Sequence, residues 1–147
     1  MKWEKAQIEV FKSMLTGDIA ARGYWTPDEH RFVVTPDGVH GFVFPRCMIA
    51  FDTEQITTCG PFLTVEKNKQ DQLTPTTRLR EFGKVTARAF EGKDGDVYVN
   101  DKYLSCYDYG ECEFYHGYAN GIAAVIVVEN DATVGFSLPI AVPDDEM

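Results

Sequence analysis

The residues able to do chemistry are few and scattered. Cys106, Cys112 and His116, with Asp108 and Glu111 between them, carry the thiolate and imidazole groups that hold zinc. No close Cys pair of the C-x-x-C kind accompanies them, and Tyr107, Tyr109, Phe114 and Tyr115 in the same stretch read as packing. The thiols are therefore expected to fill small core sites, with neither a metal nor a cofactor. Gly135-Phe136-Ser137-Leu138-Pro139 has the outline of a nucleophile elbow, but proline stands where that turn needs its second glycine, so Ser137 is expected on a strand. His30 follows Asp28-Glu29, a carboxylate-imidazole pairing that suits general base chemistry but equally a solvated turn. Asp94 and Asp96 flank Gly95 without the ligand series of a calcium loop, so a turn suffices there. Neither a P-loop nor H-E-x-x-H occurs. No catalytic residue is assigned.

The densest basic set is Arg78, Arg80, Lys84 and Arg88, which on one strand would share a face. Such a face either meets phosphate or keeps an edge strand from pairing with other chains. The aromatic residues offer a different possibility, a ligand pocket built from Trp25, His30, Tyr107, Tyr115 and His116.

The elements that must position these groups begin with an amphipathic helix over Lys2 to Thr16. Its apolar side is Trp3, Val10, Phe11, Met14 and Leu15, with Ile8 at the edge and Gly17 as C-cap. Tyr24-Trp25, Arg31 to Thr35 and Val39 to Phe44 read as strands, the last two joined by Pro36-Asp37-Gly38. Met48 to Phe51 and Phe62 to Val65 are weaker strand candidates. Glu66 to Gln72 is a polar connector. Thr74-Pro75 has the form of an N-cap and N1 pair, while Lys84 to Phe90 alternates as a strand. Asp96 to Val99 reads as a strand, and Asn100 caps a short helix through Tyr107 with Gly110 ending it. Glu113 to Tyr115, Ala123 to Glu129 and Thr133 to Val142 complete the strands, the last two meeting across Asn130-Asp131.

Sliding the chain on itself by 94 residues aligns Gly23-Tyr24 with Gly117-Tyr118, Val33-Val34 with Val127-Val128, and Asp37 with Asp131. The same shift aligns Gly41-Phe42 with Gly135-Phe136 and Pro45 with Pro139. Eight identities over Gly23 to Pro45 exceed the roughly one or two of a random offset, and point to an internal duplication. The expected architecture is α+β: two tandem βαβββ-like repeats, about 1–66 and 73–142, forming antiparallel sheets with two helices on one side. An acidic tail, 143–147, follows within the same single domain.

Through Asp96 to Leu104 as strand-into-helix, and Val125 to Pro139 as a closing hairpin, this arrangement resembles a domain of a DNA sliding clamp. The resemblance implies a non-enzymatic binding or assembly module, serving DNA replication or a mobile element. It also implies self-association and duplex DNA as partner, met by Lys2, Lys5, Lys12 and Lys102 on the helices. A small enzyme or ligand binder using the aromatic pocket, and a protein-interaction adaptor, are the alternatives.

Composition sets the outer bounds. With 44% hydrophobic and 13% aromatic residues in 147, the chain carries enough apolar surface to fold as one domain despite a net charge of −9. That charge argues against wholesale coating of nucleic acid, leaving local basic faces to be judged separately. Ile122 to Val128 is too short to span a bilayer, and Met1 to Lys5 does not open a leader. A soluble, cytoplasmic protein with free thiols and no membrane partner is expected.

Overall fold

A computed structural model describes residues 1–16, 21–59, 71–119 and 122–141. The chain is α+β, with ten strands in one sheet, one α-helix and three 3₁₀ segments among the described residues. The helix, α1, spans Trp3–Thr16. The strands are β1 (Arg22–Trp25), β2 (Arg31–Thr35), β3 (His40–Pro45), β4 (Thr57–Thr58) and β5 (Gln72–Phe82). They continue as β6 (Val85–Gly92), β7 (Gly95–Asn100), β8 (Cys112–Ala119), β9 (Ile122–Glu129) and β10 (Ala132–Ser137). Their order in the sheet is β4-β1-β2-β3-β10-β9-β8-β5-β6-β7.

Two three-stranded meanders, β1-β2-β3 and β8-β9-β10, meet back to back in the middle. At the seam Gly41 opposes Phe136 and Phe42 opposes Gly135. Each glycine thus faces an aromatic residue of the other meander, and a side chain at Gly41 would overlap the Phe136 ring. The hairpins themselves do not keep the offset of 94. Val34 pairs with Phe42 whereas Val128 pairs with Thr133, and Tyr24 pairs with Val33 whereas Tyr118 pairs with Ala123. A bulge between Thr133 and Gly135 accounts for part of that difference.

Among the described residues, the strand pairing that joins the arm of β5, β6 and β7 to the rest of the sheet is that of Gln72 and Leu73 with Tyr115 and Phe114. Ile140 N–H donates to the Tyr98 carbonyl at 2.8 Å, so the segment after β10 reaches the far edge strand, β7. The sheet therefore curls back on itself. Its inner face holds the main core: Phe32, Phe42, Phe44, Phe90, Phe114 and Val127 pack with Leu104 and Tyr107 under α1. A second cluster of Val33, Val43, Ala124 and Phe136 fills the other face of the central strands.

Several details differ from the sequence expectation. α1 turns Ala6 and Val10 fully inward, with Trp3 against Phe44, but leaves Ile8, Phe11 and Leu15 at 51%, 40% and 85% exposure. Ala6 is short enough to let the helix approach, which rotates the bulkier stripe outward. The second expected helix is a six-residue 3₁₀ helix rather than an α-helix, Asp101–Cys106, capped by Asn100 as anticipated and closing at Tyr107. Thr74-Pro75 lies inside β5 rather than opening a helix; proline is tolerated because the pairing with β6 is irregular from Pro75 to Leu79. Met48 closes a 3₁₀ turn, Arg46–Met48, and no strand follows it through Phe51. The strand expected over Thr133 to Val142 stops at Ser137, before Pro139. Gly17, Phe62 to Val65, most of the polar connector and the acidic tail lie outside the described residues.

The turn joining β9 and β10 has Asn130 and Asp131 both in the left-handed region, at φ 51° and 63°. Asn-Asp accepts this geometry less readily than Asn-Gly, so Asp131→Gly should stabilise the fold by about 0.5–1 kcal/mol. The check is a rise in the urea midpoint; a fall would show that the Asp131 side chain contributes more than the turn strain costs.

Candidate functional site

Two places gather polar chemistry in this structure, one on the helical layer and one in the core. On the layer, Lys2 N–H donates to the Cys106 carbonyl at 2.7 Å, tying the start of α1 to the end of the 3₁₀ helix. Lys2, Lys5, Lys12 and Lys102 are all exposed on these two packed segments. Lys12 is held by Glu9 at 3.5 Å, and the Lys102 ammonium lies 5.1 Å from the Tyr103 ring. Burial, with Glu9 adding, pushes the Cys106 thiol up to about 11, while Lys5 and Lys2 pull it the other way. Cys106 is thus a protonated core thiol at neutral pH.

Beside Lys102 the arm adds a cleft of about 680 Å³, lined by Lys84, Val85, Thr86, Asn100, Asp101, Lys102 and Ser105. One wall is the start of β6 and the other runs from the end of β7 into the 3₁₀ helix. Asp101, the one carboxylate in that lining, is engaged by Arg88 Nε at 2.8 Å. Asn100 Oδ1 accepts from Lys102 N–H at 3.0 Å.

In the core, His40 is fully buried on β3 and its Nε2 lies 2.7 Å from the Tyr107 hydroxyl. Phe42, Tyr103 and Tyr107 surround the imidazole ring. His40 Nδ1 has no hydrogen-bond partner among the described residues. Burial drives the imidazole down to about 3 and the Tyr107 phenol well above its usual value. Both stay neutral, which suits a structural pair closed off from substrate.

The residues expected to form an aromatic pocket are not brought together. Trp25 meets Phe32 edge to face and lies under Arg46, whose backbone N–H donates to the His30 carbonyl. Tyr107 is in the core, and the Tyr115 hydroxyl donates to Glu113 on the same strand. His116 lines a separate cleft of about 190 Å³ with Asp71, Asp94 and Asp96; Asp71 is paired with Lys93 and Asp96 with Arg78. Asp28 closes the turn before β2, accepting from the Thr26 hydroxyl and from His30 N–H, and those bonds hold its carboxyl below the usual range. Cys106 and Cys112 are buried, and among the described residues no three potential ligands gather for a metal. Ser137 is buried on β10 opposite His40.

The basic set also divides. Arg78 and Arg80 share one face of β5, Lys84 sits in the turn, and Arg88 on β6 pairs with Leu79, which puts it on the opposite face. Arg78 is bonded to Asp96 and Glu91. Sequence reasoning missed the pairing of Lys84 with Lys102 and the role of His40. No helix among the described residues is long and apolar enough to cross a membrane. Comparison with protein-family models, curated proteins and solved structures finds no match to this chain.

Proposed function

We propose that this chain is a non-enzymatic binding and assembly module that engages duplex DNA through its helical layer. What supports this reading is the packing of α1 against the Asp101–Cys106 helix, two neighbouring segments that carry the exposed Lys2, Lys5, Lys12 and Lys102 in an otherwise acidic chain. Phosphate neutralisation by such lysines needs no base contacts. The opposed Gly41-Phe136 and Phe42-Gly135 pairs support descent of the two meanders from one duplicated unit, as a clamp-like domain would have. A ring around DNA would need several copies of the chain, so self-association belongs to the same proposal.

Size-exclusion chromatography with light scattering, at low salt with and without a labelled duplex, tests both parts. Salt-sensitive retention is expected, with the slope of log affinity against log salt falling by about one for each lysine changed to glutamine. A strict monomer that ignores DNA at low salt would remove the reading. An adaptor role for a protein partner is favoured by the exposed Ile8, Phe11 and Leu15 stripe of α1. Loss of a protein partner on Ile8→Ser/Leu15→Ser, with DNA retention absent throughout, would select it.

A further inference from the structure

We propose that the cleft between the start of β6 and the Asp101–Cys106 helix is a binding site for a small phosphate-bearing ligand, held between the ammonium groups of Lys84 and Lys102. The cleft, about 680 Å³, falls within the range of about 300–1,000 Å³ typical of small-molecule sites. Its lining carries two cations and one carboxylate, and that carboxylate is taken up by Arg88, so the site keeps an excess of positive charge in a chain of net charge −9. No ion pair engages Lys84 or Lys102 among the described residues.

The remaining polar lining is rich in donors. Thr86 and Ser105 present hydroxyls, and Asn100 has its carbonyl oxygen occupied by Lys102 N–H, which leaves the amide N–H groups for an acceptor. Two ammoniums with neutral donors around them match a ligand offering several anionic oxygens. Phosphate and diphosphate groups offer that more fully than a single carboxylate. Val85 supplies an apolar patch on one wall, room for an uncharged part of the ligand.

The site is built by topology. The ladder of β6 and β7 ends at the Ala87 and Asn100 pair, where the chain before β6 carries Lys84 and the chain after β7 turns into the helix that carries Lys102, so both line one cleft. The Asn100 cap and the Arg88–Asp101 bond then hold the second wall to the first. Lys84 is outside the helical layer proposed to meet DNA, so the two surfaces share only Lys102.

Titration calorimetry of the whole chain with inorganic pyrophosphate, at low and at near-physiological salt, is the direct test. Saturable binding is expected, weakened about tenfold by Lys84→Gln and again by Lys102→Gln. Both side chains are exposed, so circular dichroism and urea midpoints of the variants should match the parent. Absence of saturable binding at low salt, or binding that the double variant leaves intact, overturns the proposal. Lys5→Gln/Lys12→Gln separates it from the DNA reading: that variant should lose DNA retention and keep pyrophosphate. Competition decides the source of the phosphate. In the Lys5→Gln/Lys12→Gln variant, duplex DNA displacing pyrophosphate would assign the cleft to the polymer and overturn the small-ligand proposal, and failure to displace assigns it to a free ligand.

Discussion

Gly135→Ala should destabilise the fold by about 4 kcal/mol, the sum of overpacking at about 1–3 and an orphaned polar pair at about 1–3. A Cβ at Gly135 would overlap the Tyr107 hydroxyl and press on its ring. The ring cannot simply retreat, because Phe42 and Phe114 lie on its flanks within the main core. Moving Tyr107 also breaks its 2.7 Å bond to His40, leaving the imidazole with two unpaired nitrogens in place of one. Against a total stability of about 5–15 kcal/mol, such a loss shows as a large drop in the urea midpoint. Tyr107→Phe in the Gly135→Ala background removes the overlapping oxygen and should restore part of the loss. A Gly135→Ala protein as stable as the parent would mean that the seam between β3 and β10 is looser than its packing indicates.

The same seam shows how far the sequence was legible. Gly41-Phe42 and Gly135-Phe136 are legible as glycine-aromatic pairs, and the structure gives each glycine its own reason: Gly41 lies where the Phe136 ring of the other meander comes close, and Gly135 lies where Tyr107 packs from beyond the Asp101–Cys106 helix. Hairpins with strong local turn signals were also readable: Gly38 takes φ 83° between β2 and β3, and Asn130-Asp131 takes the left-handed pair between β9 and β10. β5 was not readable, because its exposed run of Thr and Arg has no apolar alternation and depends on β6 for its pairing. Two-residue β4 is set by its parallel contact with β1, a tertiary event with no local signal.

Site legibility followed the same division. Lys102 could be singled out from its place after Asn100, and Lys84 from its basic neighbours, yet their shared cleft exists only once β6 and β7 are laid antiparallel in register. The strands read from Lys84 to Phe90 and Asp96 to Val99 contain that pairing in outline, so the signal was present and unused. His40 and Tyr107 are 67 residues apart and meet only through packing of the 3₁₀ helix on β3. Nothing local marks the histidine as buried. The exposed Ile8, Phe11 and Leu15 stripe errs the other way: periodicity locates an apolar face but not which of two adjacent apolar lines meets the sheet.

Acid should destabilise this protein through His40 before most of its carboxylates protonate. The imidazole titrates near 6.5 in the unfolded chain and at about 3 in the folded one, because burial excludes the charged form. A depressed folded value means the unfolded state binds the proton first. His40 therefore costs no pH-dependent stability above about pH 6.5, and stability falls as pH drops from there toward 3. Over the roughly 1.5 units from pH 6.5 to pH 5, at about 1.36 kcal/mol per unit, the loss reaches about 2 kcal/mol. The groups around the ring are Phe42, Tyr103 and Tyr107, and none is a carboxylate that would stabilise an imidazolium. The double variant His40→Phe/Tyr107→Phe removes the titrating group and its partner together, keeping aromatic volume at both positions. Urea unfolding of parent and double variant at pH 7 and pH 5 isolates the effect as a difference. The parent should lose about 2 kcal/mol more than the variant over that interval. Parallel losses would place the His40 proton within reach of solvent, and would mean that the pair beneath Gly135 opens far more readily than a closed core allows.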